Sequence, residues 1–214
     1  MGAEEIGLKV GASVRRSFCS YFGAILKSKM AIDISGNSMA TARLIDPFTL
    51  FQHAVGILTV DEFIRDQAPA RADFAYTSML LEAFAVELLL KCLLIIEKKD
   101  PPITHRLDKL FRQISHKKKR RLEELWEVQA RPELTEFAKA DGLPTDLPNA
   151  IVRCRDAFDR LRYHYEEPNK SPFYLGRLPH LLKMVILETK PEWRSRLAEE
   201  RPHLRRMKNP VRLE

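Results

Sequence analysis

Met79-Leu-Leu-Glu-Ala-Phe-Ala-Val-Glu-Leu-Leu-Leu-Lys-Cys-Leu-Leu-Ile-Ile96 decides the fold of this 214-residue chain. Nearly every position in it is apolar, and only Glu82, Glu87 and Lys91 interrupt the run. Each central charge costs roughly 3 kcal/mol in a bilayer, so the segment reads as a buried helix and no membrane partner is expected. A helix that is apolar on most sides must be wrapped by other helices or by a partner subunit, which makes it the centre of a bundle. Pro69 opens the segment and Asp100-Pro-Pro102 closes it, so the helix is expected over residues 70–98. Glu87 and Lys91 stand four apart in the favoured order for an ion pair, which is either structural or faces a polar cleft.

Upstream, Asp46-Pro47 supplies a capping aspartate and a proline for the first helical position. A helix through Phe48, Leu50, Phe51, Ala54, Val55 and Leu58 follows, with a separate short helical piece expected over Val60–Asp66. Downstream, Thr104 reads as the N-cap of a helix reaching Ile114, with Leu107, Leu110 and Phe111 at helical spacing. The basic run Lys117-Lys118-Lys119-Arg120-Arg121 leads into a further helix over Arg121–Gln129, and a weaker helix is expected over Glu133–Lys139. A loop marked by Asp141-Gly142, Pro144 and Pro148 delivers the chain to one helix over Pro148–Tyr165. A last core helix, Pro179–Thr189, precedes a charged tail that is at most partly helical.

The chemistry-bearing stretch is Arg153-Cys-Arg-Asp-Ala-Phe-Asp-Arg-Leu-Arg-Tyr-His-Tyr-Glu166. At about 100° per residue, Ile151, Cys154, Ala157, Phe158, Leu161 and Tyr165 form a buried arc. Arg153, Asp156, Arg160 and His164 form a polar ridge beside it. A histidine near an arginine at the rim of an apolar face suits phosphate chemistry on an RNA backbone, while the plainer reading is a rim of ion pairs.

Composition bounds the alternatives. With 45% hydrophobic and 30% charged residues the chain has a globular composition. Cys19, Cys92 and Cys154 are widely separated, an odd count that builds neither a zinc clamp nor a closed disulfide framework, so a reducing cytoplasm is expected. The formal net charge of +7 is carried by the basic run, by the 190–214 tail and by residues 1–45, leaving the rest net acidic. Concentrated basicity fits an anionic partner such as RNA, and also fits plain solvation. No phosphate loop, zinc helix or nucleophile elbow is present. His53, His105, His116, His180 and His203 lack metal-ligand spacing and read as surface or cap residues, so neither a metal nor a cofactor is expected. No segment alternates at period two, so the chain is expected to be all-α: a bundle over 46–189, a basic, poorly ordered extension over 1–45 and a basic tail over 190–214.

Three segments in order resemble the HEPN family of helical nucleotide-binding domains: Leu81–Leu94 with its E-L-x-L-K core, Thr104–Phe111 as H-x-L-x-x-L-F, and Phe158–Glu166 with its R-Y-x-Y-E ending. The resemblance covers about residues 70–189. It implies an up-and-down bundle of four to five core helices, a homodimer, and a cleft lined by polar residues of the last signature helix. Many members of that family are metal-independent ribonucleases of toxin–antitoxin and other defence systems. Carried over, His164 would be the acid/base, Arg160 its cation, and Glu87 and Lys91 would face the cleft. Three residues separate Arg160 from His164, where the family's catalytic pair is separated by four to six. The resemblance therefore implies first a binding protein with an RNA-directed or defence-related role. Arg153, Arg162, Tyr163 and the run Lys117, Lys118, Lys119, Arg120 and Arg121 would hold RNA, nucleotide or a partner such as an antitoxin or a nucleotidyltransferase. An endoribonuclease using Arg160 and His164, and a purely structural dimerisation module, are the alternatives.

Overall fold

A computed structural model describes residues 45–67, 72–129, 144–163 and 175–199. The described residues form an all-α helical bundle without a strand. Its centre is the apolar segment singled out above, helix α2 (Ala72–Ile96). Ala83, Ala85, Val86, Leu89, Leu90, Cys92, Leu93 and Leu94 have no solvent exposure, so more than half of the helix circumference is fully buried, and Phe84, Leu88, Lys91 and Ile95 form the partly buried stripe that remains. Helices α1 (Pro47–Gln67), α3 (Leu107–Gln113), α6 (Ala157–Arg162) and α7 (Leu178–Thr189) all pack on it. No helix among the described residues is long and apolar enough to cross a membrane.

Asp46 starts α1 as its chemistry requires. One carboxylate oxygen accepts from the Phe48 N–H at 3.1 Å and the other from the Thr49 N–H at 3.3 Å. The helix then runs unbroken to Gln67, so the separate piece expected over Val60–Asp66 is instead its last turns. No proline or glycine interrupts it there, and Asp61 is held in place by tertiary partners. Asp61 is buried and accepts from the Ser78 hydroxyl of α2, while Arg65 bridges Asp61 and the buried Glu82 of α2. At the other end the Cys92 thiol of α2 donates to the Pro47 carbonyl at 3.2 Å. The end of α1 thus meets the start of α2 and the reverse, making the two an antiparallel hairpin.

Lys98 ends α2 in the left-handed conformation, with φ 59°. The Lys99 N–H donates to the Leu94 carbonyl and the Lys98 N–H to the Ile95 carbonyl, both at 2.9 Å, which is the Schellman pattern with lysine where glycine is usual. Glu97 accepts from the Ser115 N–H at 3.0 Å and from its hydroxyl, anchoring the start of helix α4 (His116–Gln129). That anchor draws the basic run into the helix itself, five residues before the expected start at Arg121. Leu122, Leu125 and Trp126 bury the inner face of α4.

The helix expected from Thr104 begins later, at Leu107. The Thr104 hydroxyl accepts from the Arg106 N–H at 3.1 Å, but Arg106 itself is extended. Helix α5 (Leu147–Arg153) is capped by Asp146, which accepts from the Asn149 N–H at 3.0 Å. The single helix expected over Pro148–Tyr165 is broken: Cys154–Asp156 form a turn between α5 and α6. The cause is tertiary. The Arg155 carbonyl accepts from the Leu107 N–H at 3.0 Å, satisfying an orphan donor in the first turn of α3, and the backbone tightens to a bond from the Ala157 N–H to the Cys154 carbonyl.

Packed structure continues past residue 189. Helix α8 (Trp193–Glu199) buries Trp193, whose ring lies 5.2 Å edge-on to Phe48 and 5.3 Å from Phe51. The N-terminal extension, the helix expected over Glu133–Lys139 and the tail beyond residue 199 lie outside the described residues.

Candidate functional site

Helix α2 carries two buried carboxylates, and the second, Glu87, faces the α3 and α6 side of the bundle. Its side chain is 3% exposed. One oxygen accepts from the Lys91 ammonium at 2.7 Å and the other pairs with Nδ1 of His105 at 2.9 Å. The i, i+4 pair expected from the sequence is therefore formed, and it is joined by a histidine from the segment that enters α3. Two donors on two oxygens balance a carboxylate that would otherwise be costly to bury. A carboxylate on Nδ1 favours the tautomer with its proton there and leaves Nε2 as the basic nitrogen.

The His105 side chain is 45% exposed, so the buried acid orients an imidazole that solvent reaches. Its ring stacks on Phe158 of α6 with centroids 5.1 Å apart, and Phe158 in turn packs on Phe84 of α2 at 5.2 Å. The Arg162 guanidinium lies over the same Phe158 ring at 5.5 Å and over Tyr163 at 4.6 Å, and it donates to the Tyr163 hydroxyl at 2.7 Å. Arg162 also approaches Asp159 at 3.8 Å. His105 and Arg162 thus both contact the Phe158 ring and both are exposed, Arg162 beside the exposed Tyr163. The arrangement offers an oriented base, a cation and an aromatic ring along one edge of the bundle.

The remaining candidates are distributed differently. His164 lies outside the described residues. Arg153 ends α5 and Arg160 lies in α6, on opposite sides of the Cys154–Asp156 turn, so they do not share one helical row. Both are partly buried with a buried Nε, and that of Arg153 makes no hydrogen bond. Asp156 pairs with Arg155 at 3.0 Å and with Arg106 at 3.8 Å. Arg106 and Arg112 also hold the buried Asp108. Burial alone would raise that carboxyl, but the Arg106 hydrogen bonds and charge bring it below its ordinary range.

The basic run lies on α4, which packs on α7 rather than on α6. Most of its charge is matched within the chain. Lys118 is largely buried near Glu97 at 3.6 Å, Lys119 donates to the Arg112 carbonyl at 2.7 Å, and Arg120 faces Glu124 at 3.4 Å. Arg121 makes a two-pronged pair with Glu188 at 3.0 and 2.8 Å. Lys117 is exposed.

Sequence reasoning counted His105 among ordinary surface or cap residues and missed its link to Glu87. The available signal was its place at the head of the Thr104–Phe111 segment. Phe158, read only as part of a buried arc, is the ring that joins the site. Among the described residues no group of three or more His, Cys, Asp or Glu side chains is placed to hold a metal ion. No family model, no curated protein and no solved structure matches the chain.

Proposed function

We propose that this chain is an RNA-directed binding protein of the HEPN type, working in the cytoplasm as a homodimer, whose RNA-contacting edge is formed by His105, Arg162 and Tyr163. The observation that carries the reading is the shared Phe158 floor, which holds an oriented imidazole and a stacked guanidinium next to an exposed tyrosine. Single-stranded RNA is recognised by aromatic and guanidinium planes for its bases together with cations for its phosphates, and this edge supplies both. The net charge of +7 favours the encounter. The basic run contributes less to the reading, because its charges are largely paired with Glu97, Glu124 and Glu188.

The test is fluorescence anisotropy of a labelled single-stranded RNA across a salt series. Affinity should fall steeply with salt, by about 0.7 of a power of salt concentration for each phosphate contact on a single strand. Tyr163→Ala should weaken binding by about 1–3 kcal/mol, the worth of one stacked base. Arg121→Ala should leave it nearly unchanged. Absence of binding, or binding indifferent to salt and to Tyr163, would favour a structural dimerisation module instead.

A further inference from the structure

We infer that His105 is a phosphoryl-acceptor residue, modified on Nε2 by a small donor of the phosphoramidate or acyl phosphate class, and that the modification closes the RNA edge. The first half goes beyond the RNA-binding reading above, and the second rests on it. The geometry behind both is the Glu87–His105 pair. Glu87 is 3% exposed and has the Lys91 ammonium on one oxygen at 2.7 Å, yet its other oxygen is given to a ring that is nearly half in solvent. Stacking against RNA needs only the plane of that ring. A buried carboxylate on Nδ1 sets something further, namely which nitrogen keeps the lone pair. With the proton held on Nδ1, Nε2 is the nucleophilic nitrogen. Nδ1 is turned to the buried acid, so the exposure of the side chain falls to the rest of the ring, and Phe158 supports it from the side at 5.1 Å between centroids.

A phosphoryl group is the electrophile this arrangement suits. Attack by Nε2 makes the ring cationic, and the Glu87 carboxylate on Nδ1 meets that charge. In the step, the Nε2 lone pair forms a bond to phosphorus and the bond from phosphorus to the leaving atom breaks. The electron pair of that bond departs with the leaving group, as ammonia from a phosphoramidate or as a carboxylate from an acyl phosphate. Nδ1 keeps its proton on Glu87, and no oxidant or reductant is consumed. The donor is small because the sequence has no Gly-rich phosphate loop to seat a nucleoside triphosphate. Arg162 contacts the same Phe158 ring and offers a cation to the phosphoryl oxygens. Once in place the group adds about two negative charges to an edge whose pull on RNA comes from a cation, so it repels the RNA phosphates.

The experiment treats the full chain with potassium phosphoramidate and follows the labelling of each of its six histidines by mass spectrometry, in native buffer and in urea. Native His105 should take one phosphoryl group, on Nε2 by phosphorus NMR, at least about 10-fold faster than the other histidines and than His105 of the unfolded chain. That comparison needs no variant, so it decides even where a substitution disturbs folding. Glu87→Gln should slow the labelling of His105 by at least about 10-fold and leave the other histidines at their wild-type rates. Lys91 then holds the amide oxygen, the amide N–H turns to Nδ1, and the ring proton moves to Nε2. Labelled protein should bind single-stranded RNA at least about 10-fold more weakly than unlabelled protein, read by anisotropy at low salt. Labelling of His105 that is no faster than in urea, even across the histidines, or indifferent to Glu87→Gln overturns the inference and spares the binding reading. So does selective labelling that leaves RNA affinity unchanged. If the unlabelled chain binds no RNA, the binding reading falls and the second half of the inference with it, while selective labelling of His105 upholds the first.

Discussion

Replacing Glu82 by glutamine should stabilise the protein at alkaline pH and leave its stability unchanged in acid. Glu82 lies in the α1–α2 seam, where two carboxylates share one guanidinium. Asp61 takes the Ser78 hydroxyl and two nitrogens of Arg65, whereas Glu82 takes one. Burial pushes the Glu82 carboxyl up from 4.5 to about 7, Arg65 opposes that rise, and the charge of Asp61 adds to it. The folded state therefore holds the Glu82 proton more tightly than the unfolded chain does. The resulting stability is complete below about pH 4.5 and is lost as the pH rises to about 7, a span worth about 3 kcal/mol. Glutamine keeps an oxygen for Arg65 but cannot ionise, so it should behave as the protonated acid at every pH.

The assay is urea unfolding of both proteins from pH 4.5 to 8. At pH 8 the variant should be more stable by up to about 3 kcal/mol, a midpoint shift of about 1–2 M urea, and at pH 4.5 the two curves should coincide. Taking the difference removes a confounding background. Burial depresses both His53 and His180, the latter against Glu62 but with the help of Lys183, Arg65 and Arg177, so both histidines weaken the fold in acid. A difference that does not change with pH, or a variant that is less stable at pH 8, would refute the reasoning.

Three further outcomes follow from single contacts. Lys98→Gly should raise stability by about 0.5–1 kcal/mol in thermal or urea unfolding, because a residue with φ 59° pays for a Cβ in the left-handed region that glycine lacks. Trp193→Ala should cost about 3–5 kcal/mol, measured the same way, since the ring is wedged against Phe48 and Phe51 at 5.2 and 5.3 Å. The Cys92 thiol, pushed up to about 12 by burial with Lys118 opposing and Asp46 assisting, should resist a thiol-reactive disulfide in the native protein and react only as fast as the chain opens.

Those parts of the fold that depend on neighbours in sequence were legible, and those that depend on distant partners were not. The apolar run from Met79 to Ile96 announces a central helix because even its least buried stripe, Phe84, Leu88, Lys91 and Ile95, is at least partly covered, which leaves little polar face to write. Asp46-Pro47 announces its helix because the capping bonds go to Phe48 and Thr49, within reach of the same turn. The break at Cys154–Asp156 has no such local sign: the apolar arc through Ile151, Ala157 and Leu161 keeps its period, and the turn is set by the Leu107 N–H from another helix. Trp193 was missed because Glu192, Arg194 and Arg196 surround it with charge, although one large ring suffices to dock a short helix. The link from Glu87 to His105 joins segments on either side of the Pro101-Pro102 turn, a pairing that helical periodicity cannot show.

Glu82 and Glu87 sharpen the point, because from sequence they are the same event: a carboxylate interrupting a greasy helix. Both are buried, so burial does not distinguish them. Their donors do. Glu82 shares Arg65 with Asp61, too little to offset the upward push of burial, to which the charge of Asp61 adds, so it tends to keep a proton and is a stability element whose charge the fold suppresses. Glu87 has an ammonium and an imidazole, one on each oxygen, and among the described residues neither pairs with a second acid. A carboxylate supplied in that way can spend one oxygen on holding a histidine at the surface. A charge buried in a bundle core therefore becomes a candidate for chemistry through the number and exposure of its donors, and by that criterion α2 points to the edge where His105, Phe158 and Arg162 meet.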